Sequence, residues 1–216
     1  MNKLGFAILV FSIFVTSCED PAANKTRAVT ADALNSASTP SSSTRSENVQ
    51  TLPITSENSH VRFTGSKVTG KHEGGFNRFT GSIDLVNGKI EDSRVKIEIE
   101  TASVFTDTDG LTKHLQSQDF FLVERYPEAT FESTSITPNT ATGPDNFSVT
   151  GNLELRGVKK SITFPATITV TPSEVSVDSE FSINRKDFGI LYPGKADDLI
   201  RDDVVLTLEV RAPRKN

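Results

Sequence analysis

Apolar and polar residues alternate along most of the chain after residue 51. In residues 94–100, charged and β-branched residues switch with a strict period of two, which is typical of a strand with one buried side. The alternation predicts eight strands, whose apolar positions are, in order, Val61 and Phe63; Phe79, Ile83 and Leu85; Val95, Ile97 and Ile99; Ala129 and Phe131; Phe147, Val149, Leu153 and Leu155; Ile162, Phe164, Ile168 and Val170; Val175, Val177, Phe181 and Ile183; and Val204, Leu206, Leu208 and Val210.

Short turn sequences separate many of these strands. Asn87-Gly88 is a strong marker of a two-residue hairpin, and Thr171-Pro172-Ser173 marks another reversal. Short connections between one-faced strands predict antiparallel pairing, and eight such strands bury their apolar face by closing into a barrel. Residues 109–118 break the alternation and predict one short helix, with Asp109 as its N-cap, in the connection between strands 3 and 4.

The predicted inner face combines large and small residues. Six strands carry one phenylalanine each, and a small residue follows or precedes most of them by two positions. An eight-stranded barrel is either filled by side chains or holds one small ligand, and this pattern favours a cavity. Glycines at the bends of a small barrel are the alternative explanation for Gly81 and Gly151. The predicted cavity wall comprises Phe63, Phe79, Phe131, Phe147, Phe164, Phe181, Ser133, Ala166 and Ser179.

Two polar residues are candidates for one end of that interior. Arg185 continues the inward parity of strand 7, and an unpaired buried charge is costly. We therefore expect its guanidinium to meet an acid, a carbonyl or a ligand head group, with Asp119 and Asp187 as candidate ion-pair partners. His114, on the predicted helix, is a candidate general acid or head-group donor, or a residue that only caps or packs.

The composition and motifs of the chain argue against several functional classes. The 216 residues carry a formal net charge of −5, and nucleic-acid binding needs a clustered basic face. The histidines His60, His72 and His114 lack metal-binding spacing, and neither a GxSxG motif nor a phosphate-binding glycine loop occurs. We therefore predict a protein that is not an enzyme, has no metal and no cofactor, and binds no nucleic acid.

The first residues resemble a bacterial lipoprotein signal. Lys3 precedes an apolar run over residues 4–15, and Thr16-Ser17 lead to Cys18, the single cysteine. Twelve residues are too few to span a bilayer, which takes about 20 in a helix. We expect residues 1–17 to be removed and Cys18 to be the site of lipid attachment. The alternative is an ordinary secretory signal, with Cys18 incidental.

The organisation of the rest follows from composition. Residues 18–51 are rich in Ser, Thr and Ala and bury too little apolar surface to offset chain entropy, so we predict a disordered tether. Its 33 residues after Cys18 correspond to a root-mean-square reach of about 30 Å. The folded domain is expected over residues 52–213.

Four motifs in this domain resemble the YceI-like family. They are His114-Leu115-Gln116-Ser117-Gln118-Asp119-Phe120-Phe121 with Tyr126-Pro127 and Phe131-Glu132-Ser133; Gly74-Gly75-Phe76 with Phe79-Thr80-Gly81; Gly151-Asn152-Leu153-Glu154-Leu155-Arg156-Gly157; and Asn184-Arg185-Lys186-Asp187-Phe188-Gly189-Ile190. The resemblance implies a lipocalin-like barrel that holds a polyisoprenoid, and members are commonly periplasmic. One family position differs, because Thr112 stands where an acidic residue often precedes the matched histidine.

The resulting expectation is non-enzymatic binding or local carriage of an isoprenoid lipid, or of a quinone-like ligand, in an apolar cavity. Arg185, Asp119 and His114 are the head-group candidates. The protein is expected to be lipid-anchored in the bacterial cell envelope, at the outer membrane, on either its periplasmic face or the cell surface. The alternative is a stress-response or interaction module whose barrel is a scaffold without an obligate ligand, and an enzyme acting on bound lipid ranks last.

Overall fold

The structure, a computed structural model, describes residues 20–34, 48–141 and 143–214. It is built almost wholly of β-strands. The strands are β1 (Val29–Asp32), β2 (Val49–Thr55), β3 (His60–Lys67), β4 (Gly70–Phe76), β5 (Phe79–Val86), β6 (Lys89–Glu100), β7 (Val104–Thr106), β8 (Glu128–Pro138), β9 (Asn146–Leu155), β10 (Val158–Val170), β11 (Glu174–Asn184), β12 (Gly194–Lys195), β13 (Asp198–Leu199) and β14 (Asp203–Pro213).

Twelve of these strands form one curled antiparallel sheet, a half-barrel. Its hydrogen-bonded order is β2-β5-β6-β8-β9-β10-β11-β14-β3-β4-β7, with β1 added beside β10, while β12 and β13 form a separate hairpin. The all-β, antiparallel prediction is confirmed, but the predicted count of eight strands is wrong. Strands β2, β4 and β7 were missed because Pro53, the glycines of β4 and the brevity of β7 weaken the apolar alternation.

The missed strands change which strands pair with one another in the sheet. β2 leads directly into β3, β4 into β5 and β6 into β7, yet the two members of each pair bond to different neighbours. β2 pairs with β5, for example, whereas β3 pairs with β4 and β14. Each predicted strand in this region is therefore half of a longer, bent segment.

Local sequence accounts for the best-defined hairpin. Asn87 and Gly88 join β5 to β6, and their φ angles are 51° and 72°. A type I′ turn needs positive φ at both central residues, and its twist matches that of paired strands. The register that follows places Phe79 opposite Ile99 and Ile83 opposite Val95. One side of this hairpin therefore faces the core, as the alternation predicts.

One α-helix, α1 (Asp109–Gln116), lies between β7 and β8. Thr108 has the extended conformation of an N-cap (φ −141°) and precedes the first helical turn, so the assignment of that role to Asp109 is corrected. Leu115 is the buried residue of the helix and packs with Val104, Phe120 and Ile190. The helix thus covers one end of the sheet.

Residues 20–34, which we term the strap, are ordered against the sheet, so the predicted disorder of 18–51 is corrected for this part. β1 pairs with β10, from Val29 opposite Thr163 to Asp32 opposite Lys160. The preceding residues bond to β11, where Ser182 donates to the Thr26 carbonyl and accepts from the Ala28 N–H. The remaining residues of the predicted tether before Asn48 lie outside the described ranges.

Pro165 explains why β10 and β11 leave room for the strap. Their own ladder covers only residues 167–170 of β10. The carbonyl of Pro165 points toward β11, where it accepts a hydrogen bond of 2.5 Å from the Ser179 hydroxyl. Because N–H and C=O of a strand residue point the same way, Pro165 has no donor to continue that ladder. Beyond it the strap occupies the space between the two strands.

Side chains hold the strap at intervals. The buried amide of Asn152 bonds both the N–H and the carbonyl of Leu34, at 3.0 and 2.9 Å. Ion pairs join Asp20 to Arg201 (3.2 Å), Lys25 to Glu180 (2.5 Å), Arg27 to Asp203 (2.9 Å) and Asp32 to Lys160 (3.0 Å). Exposed pairs of this kind are individually weak, so the backbone ladder and the Asn152 amide carry most of the attachment.

Candidate ligand cavity

An apolar cavity of about 370 Å³ lies at the end of the sheet covered by α1. Strands β3, β4, β6, β8, β9, β11 and β14 supply its walls, and α1 with the segment 190–200 supplies its cover. Most of the lining side chains are aliphatic or aromatic. The volume falls at the lower end of the range of small-molecule sites, roughly 300–1,000 Å³.

Phe63 is the one predicted wall residue that lines this cavity. The other eight predicted wall residues do not line it, and the prediction is corrected for them. They are Phe79, Phe131, Phe147, Phe164, Phe181, Ser133, Ala166 and Ser179. The apolar members pack into the core further along the sheet. The two serines satisfy backbone groups instead, since the Ser133 hydroxyl accepts from the N–H of Val95 and the Ser179 hydroxyl donates to the carbonyl of Pro165.

Two inward glycines make room for aromatic rings of the protein and not for a ligand, which reverses the reason for expecting a cavity beside them. A Cβ added at Gly151 would lie 2.4 Å from the ring of Phe131, and one added at Gly74 would lie 2.6 Å from the ring of Phe63. Gly65 differs, because a Cβ there meets nothing within 4 Å, and Gly65 lines the cavity. Real open volume therefore lies near Gly65.

His114 and Tyr192 form a polar and aromatic group at the cavity. The His114 Nε2 atom lies 2.9 Å from a carboxylate oxygen of Asp119. Its ring forms T-shaped contacts with Phe120 and Tyr192, with ring centres 5.0 and 4.9 Å apart. His114 and Tyr192 line the cavity, whereas Asp119 reaches it only through His114. The structure thus places all three head-group candidates at this end of the cavity, since Arg185 lines it as well.

Arg185, the third candidate, is buried and already well occupied. Its guanidinium donates to the carbonyls of Ile190 (2.8 Å), Arg201 (3.1 Å) and Ile200 (3.4 Å). Its acidic partner is Asp202, at 3.4 Å, so the expectation of Asp119 or Asp187 is corrected. Burial lowers the pKa of Arg185, and the charge of Asp202 opposes this. Arg185 therefore fixes the segment 190–202 over the cavity.

A second clamp on this cover was not predicted, because no motif in the sequence points to it. Asp198, in the β12–β13 hairpin, accepts from the Lys67 ammonium and from the N–H and hydroxyl of Thr69, the latter two at 3.2 and 2.9 Å. The hydrogen bond from Lys67, followed by those from Thr69, holds the pKa of Asp198 below its usual 3.8. Lys67 and Asp198 both line the cavity.

The Asp198 clamp is expected to open in acid. Because the folded-state pKa of Asp198 is depressed, its bonds stabilise the hairpin at pH values above 3.8 and are lost as the pH falls through the lower folded value. In an NMR titration, the Thr69 amide resonance should shift with a midpoint below 3.8. The shift should disappear in Asp198→Asn, and a midpoint at or above 3.8 in the unmodified protein would contradict the assignment.

The described ranges hold neither a metal-binding cluster nor a membrane-spanning helix. Among these residues, no cluster of three or more His, Cys, Asp or Glu side chains could hold a metal ion. None of the helices described has the length and apolar character to cross a membrane.

Comparisons with known proteins agree on the fold. The sequence profile of the YceI-like domain matches residues 52–212. A UPF0312 protein of Pseudomonas putida is 33% identical over 137 residues, which cover 61% of this chain and 70% of the relative.

Two solved structures share the architecture. BcnA of Burkholderia cenocepacia superposes with a TM-score of 0.63 at 23% identity, covering 74% of this chain and 99% of that protein. A polyisoprenoid binding domain from Saccharophagus degradans, implicated in plant cell wall breakdown, gives 0.62 at 18% identity, covering 77% and 100%. At these identities the likeness concerns the fold.

Proposed function

Because this chain belongs to the YceI-like family, we propose that it is a non-enzymatic binding protein that holds the apolar tail of an isoprenoid lipid in the cavity. The observation that carries the proposal is the cavity itself, which is open at Gly65 and walled by apolar side chains. The solved Saccharophagus degradans relative is a polyisoprenoid binding domain, which supports this choice of ligand class.

The energetics of an isoprenoid tail suit such a site. Each buried CH₂ contributes about 0.8 kcal/mol, without any directional bond. A wall of Phe63, Phe76 and Leu206 therefore supplies affinity without many polar contacts. The single polar end of the lipid would lie beside His114 and Tyr192, where hydrogen-bonding atoms border the cavity. Arg185 contributes indirectly, by fixing the segment that covers the tail.

The proposal also places the protein in the bacterial cell envelope. Its basis is the sequence, in which the small residues Thr16 and Ser17 precede Cys18 after an apolar run. Acylation of Cys18 would attach the domain to the membrane that supplies an apolar ligand. Mass spectrometry of the purified N-terminal peptide tests this part separately, because it detects the acyl chains directly.

Filling the cavity at Gly65 is the test of ligand binding. In Gly65→Leu the added Cβ meets no protein atom within 4 Å, and the rest of the side chain extends toward the cavity, so the fold should be kept. The leucine side chain should exclude at least about two CH₂ groups of a bound tail from the cavity. The loss of their burial lowers affinity at least about tenfold. The measurement is the displacement of a fluorescent farnesol analogue, together with mass spectrometry of lipids extracted from the protein.

Gly70→Leu is the matched control. A Cβ added at Gly70 also meets nothing within 4 Å, and Gly70 is the first residue of strand β4. Unlike Gly65, it does not line the cavity. It should therefore bind like the unmodified protein. Equal binding by both variants, or the absence of any bound lipid, would contradict the proposal and favour a scaffold without an obligate ligand.

A further inference from the structure

We infer that the cavity ends blindly at a layer of aromatic rings and takes an isoprenoid tail of only about three to four units, a limit that rests on the proposed function. The layer consists of Phe131, Phe164 and Phe181. It lies across the interior of the curled sheet, below the cavity.

The layer follows directly after cavity-lining residues on two strands. Ala129 of β8 and Ile183 of β11 line the cavity. Two residues further along the same inward faces, away from the covered end, come Phe131 and Phe181, which do not line it. Side chains two residues apart on a strand occupy successive levels of the same face. The rings therefore form the next level down.

The rings are packed against one another and against the backbone. Phe131 and Phe164 have ring centres 5.7 Å apart, and Phe164 stacks on Phe181 at 4.2 Å with an interplanar angle of 11°. The Phe131 ring also lies directly over Gly151. Phe181 is 1% exposed. A chain entering from the cavity would have to separate these stacked rings to go deeper.

Strand geometry gives the available length. Both Val61 and Lys67 of β3 line the cavity, and six residue steps at about 3.3 Å span about 20 Å, or about 15 Å along the axis of a tilted sheet. An extended isoprenoid has four main-chain bonds of about 1.5 Å per unit and advances about 5 Å per unit. A farnesyl or geranylgeranyl tail therefore fills the cavity, and a longer tail projects from it.

A series of prenyl alcohols of increasing length tests this limit on the unmodified protein. Geraniol, farnesol, geranylgeraniol and solanesol would each compete with a fluorescent farnesol analogue. Affinity should rise at least about tenfold from geraniol to farnesol, because the added CH₂ groups are buried. Solanesol should bind no more tightly than geranylgeraniol, since its extra isoprene units stay in water.

The outcomes separate the two proposals. If solanesol binds much more tightly than geranylgeraniol, the blind end is refuted while isoprenoid binding stands. If none of the alcohols binds, the proposed function fails and the length limit fails with it. A plateau at geranylgeraniol supports both.

Variants of the layer give a second readout. Phe131→Leu removes a ring from the blind end and so deepens the cavity. The affinity for solanesol relative to geranylgeraniol should therefore increase. Phe147→Leu is the control, because Phe147 is another buried aromatic residue of the core that neither lines the cavity nor belongs to the layer. The same ratio of solanesol affinity to geranylgeraniol affinity in both variants would contradict the role of Phe131 in closing the cavity.

Discussion

Replacing Arg185 with alanine is expected to lower the free energy of unfolding by about 3–5 kcal/mol. The guanidinium is 5% exposed and donates to three carbonyls of the segment 190–202. Removing it leaves these acceptors without a donor at a site that water reaches poorly, and each loss costs about 1–3 kcal/mol. The segment should also separate from the cavity.

Two neighbouring variants make this expectation specific. Lys186 pairs with the same Asp202 at 2.9 Å but is exposed, so Lys186→Ala should change the unfolding free energy by less than about 1 kcal/mol. Arg185→Lys keeps the charge but not the forked donor set, and should fall between the two. Urea denaturation measures all three. A loss for Arg185→Ala no larger than that for Lys186→Ala would refute the role of the buried guanidinium.

Phe181→Ala is expected to cost about 3–5 kcal/mol of stability, through lost burial and the cavity left behind. Phe181 is 1% exposed and stacks on Phe164 at 4.2 Å. For a domain of this size such a loss corresponds to a fall in melting temperature of about 10 °C. Thermal unfolding followed by circular dichroism measures it directly.

The comparison variant for Phe181 is Phe105→Ala. Phe105 is 37% exposed and lies outside the aromatic layer, so its truncation should cost less than about half as much. Similar losses for the two variants would mean that Phe181 is not a central element of the core. The contrast is informative because the side chain removed is the same.

The sequence predicted which residues face inward but not how far their side chains reach. Strand parity correctly placed Phe131, Phe164 and Phe181 in the core, because alternation follows directly from strand geometry. Whether glycine leaves a void depends on what lies opposite it. Gly151 is filled by the ring of Phe131 and Gly65 is not filled at all, and both environments depend on cross-strand register and on the cover.

The partners of Arg185 were also beyond the sequence. Its inward parity correctly predicted a buried guanidinium. Three of its acceptors, however, are backbone carbonyls five to sixteen residues away, and any residue type supplies a carbonyl. The strap was missed for a related reason: β1 has no apolar alternation, and it is held by backbone bonds and by the amide of Asn152.

The strap alters what an anchor at Cys18 would do mechanically. Asp20, only two residues beyond Cys18, is ion-paired to Arg201, next to Ile200 of the cavity lining. Two residues span at most about 7 Å, so an acylated Cys18 would leave the domain little slack while the pair between Asp20 and Arg201 holds. The domain would not move freely on a flexible tether with a reach of about 30 Å. It would sit close to the bilayer, with its covered end turned toward the headgroups.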